Sequence, residues 1–121
     1  MKVIIDFIED IRESIENAEA YVLRVGLLKE DLEDTSKLHY LGEASIESYQ
    51  LSKEKKELLF KVGDSDIEVT VGELIPSLLI LDMQAMMYPL KIDVNTQYSG
   101  LEVIGFGKSD EEKRYLLFIK V

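Results

Sequence analysis

Three stretches of apolar–polar alternation in the middle of the chain constrain its fold more than any other feature. Leu38, Tyr40, Ala44 and Ile46 alternate with Glu43, Ser45 and Glu47; Leu58, Phe60 and Val62 with Leu59 and Lys61; Ile67, Val69 and Val71 with Glu68 and Thr70. Successive strand side chains point to opposite faces, so a period of two marks a half-buried sheet. The connectors, Ser52-Lys53-Glu54-Lys55-Lys56 and Gly63-Asp64-Ser65-Asp66, are short enough for hairpins. These runs predict a three-strand antiparallel meander with one wet face and one buried face.

The chain before the meander has a different period. Ile4, Ile8, Ile11, Ile15 and Ala18 step by four and three, an apolar stripe that predicts a helix over roughly 2–19. It lasts about two heptads, too few for a coiled coil, so it packs onto the sheet. From Ala20 the composition turns to strand formers (Tyr21, Val22, Leu23, Val25), giving a strand over 20–29, and Glu30–Lys37 reads as a polar loop.

A second helix is expected at 73–88. Thr70 with Glu73 has the spacing of a capping box, but that start places Pro76 inside the helix, at a cost of about 3 kcal/mol. Pro76 at the first helical position is cheaper, which puts the start near 73–76, and Pro89 ends the helix by restricting Tyr88. Leu90, Ile92 and Val94 then alternate, and Gln97-Tyr98-Ser99-Gly100 turns the chain. Residues 101–106 and 114–121 read as a final hairpin around Gly107-Lys108-Ser109-Asp110, although Ser109 with Glu112 is also a capping pattern for a short C-terminal helix. The expectation is one compact α+β domain over 1–121. It has an antiparallel sheet of about six or seven strands and two main helices, in the order α-β-βββ-α-βββ.

Composition bears mainly on partners. The net charge is −10, from 24 acids and 14 bases, with −6 of it in residues 1–36. Phosphate backbones are bound by clustered Lys and Arg, and only Arg12, Arg24 and Arg114 are arginines. No direct nucleic-acid binding is expected, nor attraction to an anionic membrane. The absence of cysteine excludes disulfides, thiolate nucleophiles and Cys-based zinc sites. The short apolar run Val3-Ile4-Ile5 is no signal-peptide core, so a soluble, cytoplasmic protein is expected.

Motifs that carry chemistry fail on spacing. Gly105-Phe106-Gly107-Lys108-Ser109 resembles the end of a phosphate-binding loop, but Glu102 stands where the motif needs its first glycine. Asp64, Asp66 and Glu68 have calcium-loop spacing, yet Val69 and Ile75 occupy the positions of the obligatory Gly and Glu. His39 is the only histidine, with Ser36 and Tyr40 nearby but in no nucleophile motif. Glu43 and Glu47 share a strand face about 13–14 Å apart, farther than paired glycosidase carboxylates. No catalytic, metal or cofactor-binding set is expected.

Met83, Met86, Met87 and Tyr88 remain, soft side chains gathered at one helix end, as found on adaptable binding surfaces and in cores. They form the candidate interface or apolar pocket. The sequence therefore points to a non-catalytic protein-interaction module (an adaptor, inhibitor, immunity or chaperone-like subunit) that binds a protein partner or a second copy in a homodimer. The alternatives are a small-molecule domain with an apolar pocket and, third, a carboxylate-based enzyme.

Overall fold

A computed structural model describes residues 1–64 and 66–121. Two helices and seven strands follow in the order α1 (Ile4–Ser14), β1 (Val22–Glu30), β2 (Leu38–Ser52), β3 (Glu57–Val62), α2 (Val71–Leu79), β4 (Leu90–Asp93), β5 (Leu101–Glu102), β6 (Gly105–Ser109) and β7 (Arg114–Lys120). The α+β class expected from the periods holds, and the C-terminal segment is strand. The sheet departs from expectation: it is mixed, in the spatial order β5-β4-β3-β2-β1-β7-β6. β1 runs parallel to β7, and β3 parallel to β4, while the other neighbours are antiparallel.

Two stretches curl this sheet. β2 is shared, its first part (Leu38–Ser45) pairing with β1 and its second (Ile46–Ser52) with β3. At the far side, Leu101 and Glu102 pair with β4, the Ile104 N–H donates to Phe118, and Gly105–Ser109 pair with β7. One run of chain, 101–109, thus touches both ends of the sheet. Val3 bridges Pro89, and the Lys2 N–H donates to the Val103 carbonyl, so the chain start fits between these segments.

α1 buries Ile4, Ile8 and Ile11 of the predicted stripe together with Phe7; Ile15 is buried just past its end, and Ala18 only in part. Phe7 packs edge-on against Tyr115 at 5.4 Å between ring centroids. Its N-terminus is held by Asp6, whose carboxylate accepts the Val3 N–H at 3.0 Å. The helix stops at Ser14, short of the expected Glu19, because Ile15 is already extended; a separate 3₁₀ turn covers Ala18–Ala20. Lys108 donates to the Ser14 carbonyl, satisfying a group that the end of the helix leaves open.

The third strand of the expected meander does not form. Residues 67–69 belong to no strand, and only a bridge from Thr70 to Val22 remains before α2 begins. The neighbour of β3 is β4 instead. Ser65, in the expected 63–66 turn, lies outside the described residues. Thr70 caps α2, its hydroxyl accepting the Glu73 N–H at 3.2 Å, so Pro76 does lie inside the helix. Burial of Val71, Leu74 and Leu78 offsets the one backbone bond that proline forfeits. The expected single helix over 73–88 is therefore α2 plus a 3₁₀ turn at Ala85–Met87.

The glycines near the C-terminus are strand residues. The expected turn at 107–110 falls at 110–113, after β6. Gly107 and Gly26 flank β7, and a β-carbon on either would stand under 3 Å from the Phe118 ring. Gly42 has φ of +131°, beside the bulge where Leu27 faces Gly42 but Leu28 faces Tyr40. The buried residues form one apolar cluster between the helices and the inner sheet face.

Candidate interaction surface

The structure divides the four residues Met83, Met86, Met87 and Tyr88. After α2 ends, the Asp82 carboxylate accepts the Ala85 N–H at 2.8 Å, and the Asp82 carbonyl accepts the Met86 N–H at 3.1 Å. This side-chain bond starts a new turn where a continuous helix was expected. The turn points Met86 into the core, 9% exposed, and leaves Met83 78% exposed and Met87 largely so. Tyr88 is half-buried against the core, and its carbonyl accepts the Ile4 N–H at 3.0 Å.

Two residues that the sequence reading missed join the exposed methionines. Leu79 stands half exposed and Ile80 84% exposed at the end of α2. The signal was present in Leu78-Leu79-Ile80-Leu81: four consecutive apolar residues cannot all face inward from one helix. Leu79, Ile80, Met83 and Met87 thus lie in one short run around a helix end, and clustered exposed apolar side chains mark interaction sites.

Along the sequence from Val62 to Leu90 there is no lysine or arginine, while Asp64, Asp66, Glu68, Glu73 and Asp82 are acidic. In space, Asp64 and Asp66 border a hollow with Arg24, Glu68 borders one with Arg24 and Arg114, and the Lys2 carbonyl accepts the Leu90 N–H at 3.0 Å. α1, which packs beside the 3₁₀ turn, adds Asp6, Glu9, Asp10 and Glu13 against Arg12.

The other candidates are engaged in local contacts. His39 Nε2 lies 2.7 Å from Asp31 Oδ2 on the surface. That contact and the N–H groups of Glu33 and Asp34 hold the Asp31 carboxyl below its usual value. The Ser36 hydroxyl donates to Asp34, not to His39. Glu43 accepts from Arg114 and lies 3.8 Å from the Arg24 Nε, while Glu47 stands against Gly63. Gly105–Ser109 pairs along β7 as a strand, with no helix behind it. Among the described residues no group of three acids or histidines could hold a metal ion.

Two tyrosine–aspartate pairs join the helical layer and the connections to the sheet. Tyr115, fully buried, donates its hydroxyl to Asp10, and burial first, then that bond, pushes the phenol well above its usual value. Tyr21 donates to Asp110, which also pairs with Lys108 at 3.3 Å. These contacts raise the Tyr21 phenol and lower the Asp110 carboxyl. The second pair borders an open hollow of about 330 Å³ that is lined by charged and polar groups. A hollow of about 420 Å³ beside Arg24, Glu43 and Asp64 has the same character.

Among the described residues, no helix is long and apolar enough to cross a membrane. Comparison with protein-family models, curated proteins and solved structures found no match.

Proposed function

We propose that this protein is a non-catalytic protein-interaction module, and that its docking surface is the corner formed by Leu79, Ile80, Met83 and Met87. The observation that carries the reading is the exposure of these four side chains in a stretch of sequence, 62–90, that has acids and no bases. The partner that fits is a basic amphipathic segment: its apolar side chains cover the methionines, and its Lys and Arg meet the acidic rim. Methionine suits such a surface because its unbranched, polarizable chain adapts to differently shaped anchors. The two hollows beside Tyr21 and Arg24 are polar and open, and give the small-molecule reading no comparable support.

The test uses a labelled amphipathic peptide built from Leu and Lys. The Ile80→Asp/Met83→Asp variant makes the protein more acidic, so general charge attraction strengthens while the apolar anchor is removed. Binding is expected to fall at least tenfold, whereas Leu32→Asp, on an exposed loop, leaves it unchanged or slightly tighter. Equal binding by all three proteins would reduce the interaction to net charge and overturn the proposal.

A further inference from the structure

Among the described residues, the first part of β2 has a neighbouring strand on one side only. Leu38–Ser45 pair with β1, and β3 takes up pairing with β2 at Ile46. On that second side, the Ser45 carbonyl accepts the Gly63 N–H at 3.2 Å. Beyond it, toward Leu38, no strand of the described residues lies along the edge. An unpaired strand edge is a template for another strand, and proteins usually blunt it with charge, proline or short length. Here Leu38, Tyr40 and Leu41 are all exposed, Tyr40 and Leu41 at 55% each. Thr35–Gly42 contains no acid and no proline, although the chain carries 24 acids in all. Lys37 is the one Lys, Arg, Asp or Glu within the strip, and the Asp31 carboxylate beside it is engaged by His39 at 2.7 Å.

We infer that this edge pairs antiparallel with the same edge of a second copy, about a two-fold axis at His39. The residues are self-complementary in that register. Leu38 of each copy faces Tyr40 of the other, an aliphatic–aromatic cross-strand pair made twice, with the regular run ending before the bulge at Gly42. Tyr40 already leans on Phe118, their ring centroids 6.4 Å apart. The Leu38 of the second copy extends that outer-face cluster instead of founding a new one. This surface is separate from the corner at Ile80 and does not depend on the function proposed for it.

The chain has no cysteine, so single cysteine variants report the pairing cleanly. Directly opposed residues of an antiparallel pair have Cα atoms about 4.5–5.5 Å apart, within disulfide range. Under mild oxidation His39→Cys is expected to form a covalent dimer at least tenfold faster than Ile80→Cys. In sedimentation equilibrium the parent protein is expected to dimerise reversibly, and Leu38→Lys to weaken the dimer at least tenfold while circular dichroism stays unchanged. A parent chain that stays monomeric up to millimolar concentration overturns the inference. So does equal cross-linking at positions 39 and 80, or a dimer indifferent to Leu38→Lys.

Discussion

A β-carbon on Gly26 would stand 2.5 Å from two ring carbons of Phe118. The ring takes the space that a side chain on the neighbouring strand would need, so Gly26→Ala forces the phenyl aside. Such overpacking costs about 1–3 kcal/mol. Denaturant melts of Gly26→Ala, Phe118→Ala and the double variant check the contact. The alanine at 26 is expected to cost clearly less once the ring is gone, and additive losses would mean that the two residues do not compete for space.

Tyr115 gives the fold a sensitivity to alkali. Its phenol is raised in the folded protein, so the stability it contributes is complete below the ordinary tyrosine value and lost as pH climbs past about 10. Tyr21 acts in the same direction. Tyr115→Phe is expected to lose about 1 kcal/mol at neutral pH, from the bond to Asp10. Its stability should then decline less steeply above pH 10. Melting curves from pH 7 to 11 decide this, and parallel curves for the two proteins would count against it.

Asp110 and Asp31 act at the other end of the scale. Their carboxyls are lowered in the folded state, so the stability they supply is present above the ordinary carboxylate range and lost as pH falls below about 4. Asp110→Asn is expected to melt lower than the parent at pH 6, with the gap narrowing by pH 3. A gap that widens on acidification would reverse the sign assigned to the Tyr21–Asp110 contact.

Pro76 is a fourth target, because it occupies a helix interior where its missing N–H leaves the Gly72 carbonyl without its usual donor. The residue is exposed, so its removal opens no cavity. Pro76→Ala is expected to stabilise the protein by about 1–3 kcal/mol, read as a higher melting temperature. A lower melting point would show that the ring makes contacts outweighing the backbone gain.

Local periodicity made the strands of the central hairpin, the α1 stripe and the C-terminal strand legible. What it could not show was which strands lie side by side. β1 and β7 are parallel neighbours separated by most of the chain, and no residue pattern in either names the other. Glycine was misread because its use here is spatial: Gly107 reads as a turn, yet it serves as clearance for Phe118. Pro76 misled for the opposite reason. A local cost placed the helix start too late, and the burial of Val71 and Leu74 outweighed it. At the candidate surface the methionines were visible, but Met86 turned inward through the Asp82 contact, and Ile80 was hidden in a run that looked like core.

The parallel pairing of β1 with β7 also sets an order of events during synthesis. A chain leaving the ribosome presents Val22–Glu30 early, but the strand that covers its second side, Arg114–Lys120, is made only after β2 to β6. Until then Leu23 and Val25 border an open seam, and neighbouring nascent chains compete for it. Slow translation of the chain between the two strands prolongs that exposure, so the yield of folded protein is expected to depend on how soon β7 follows β1.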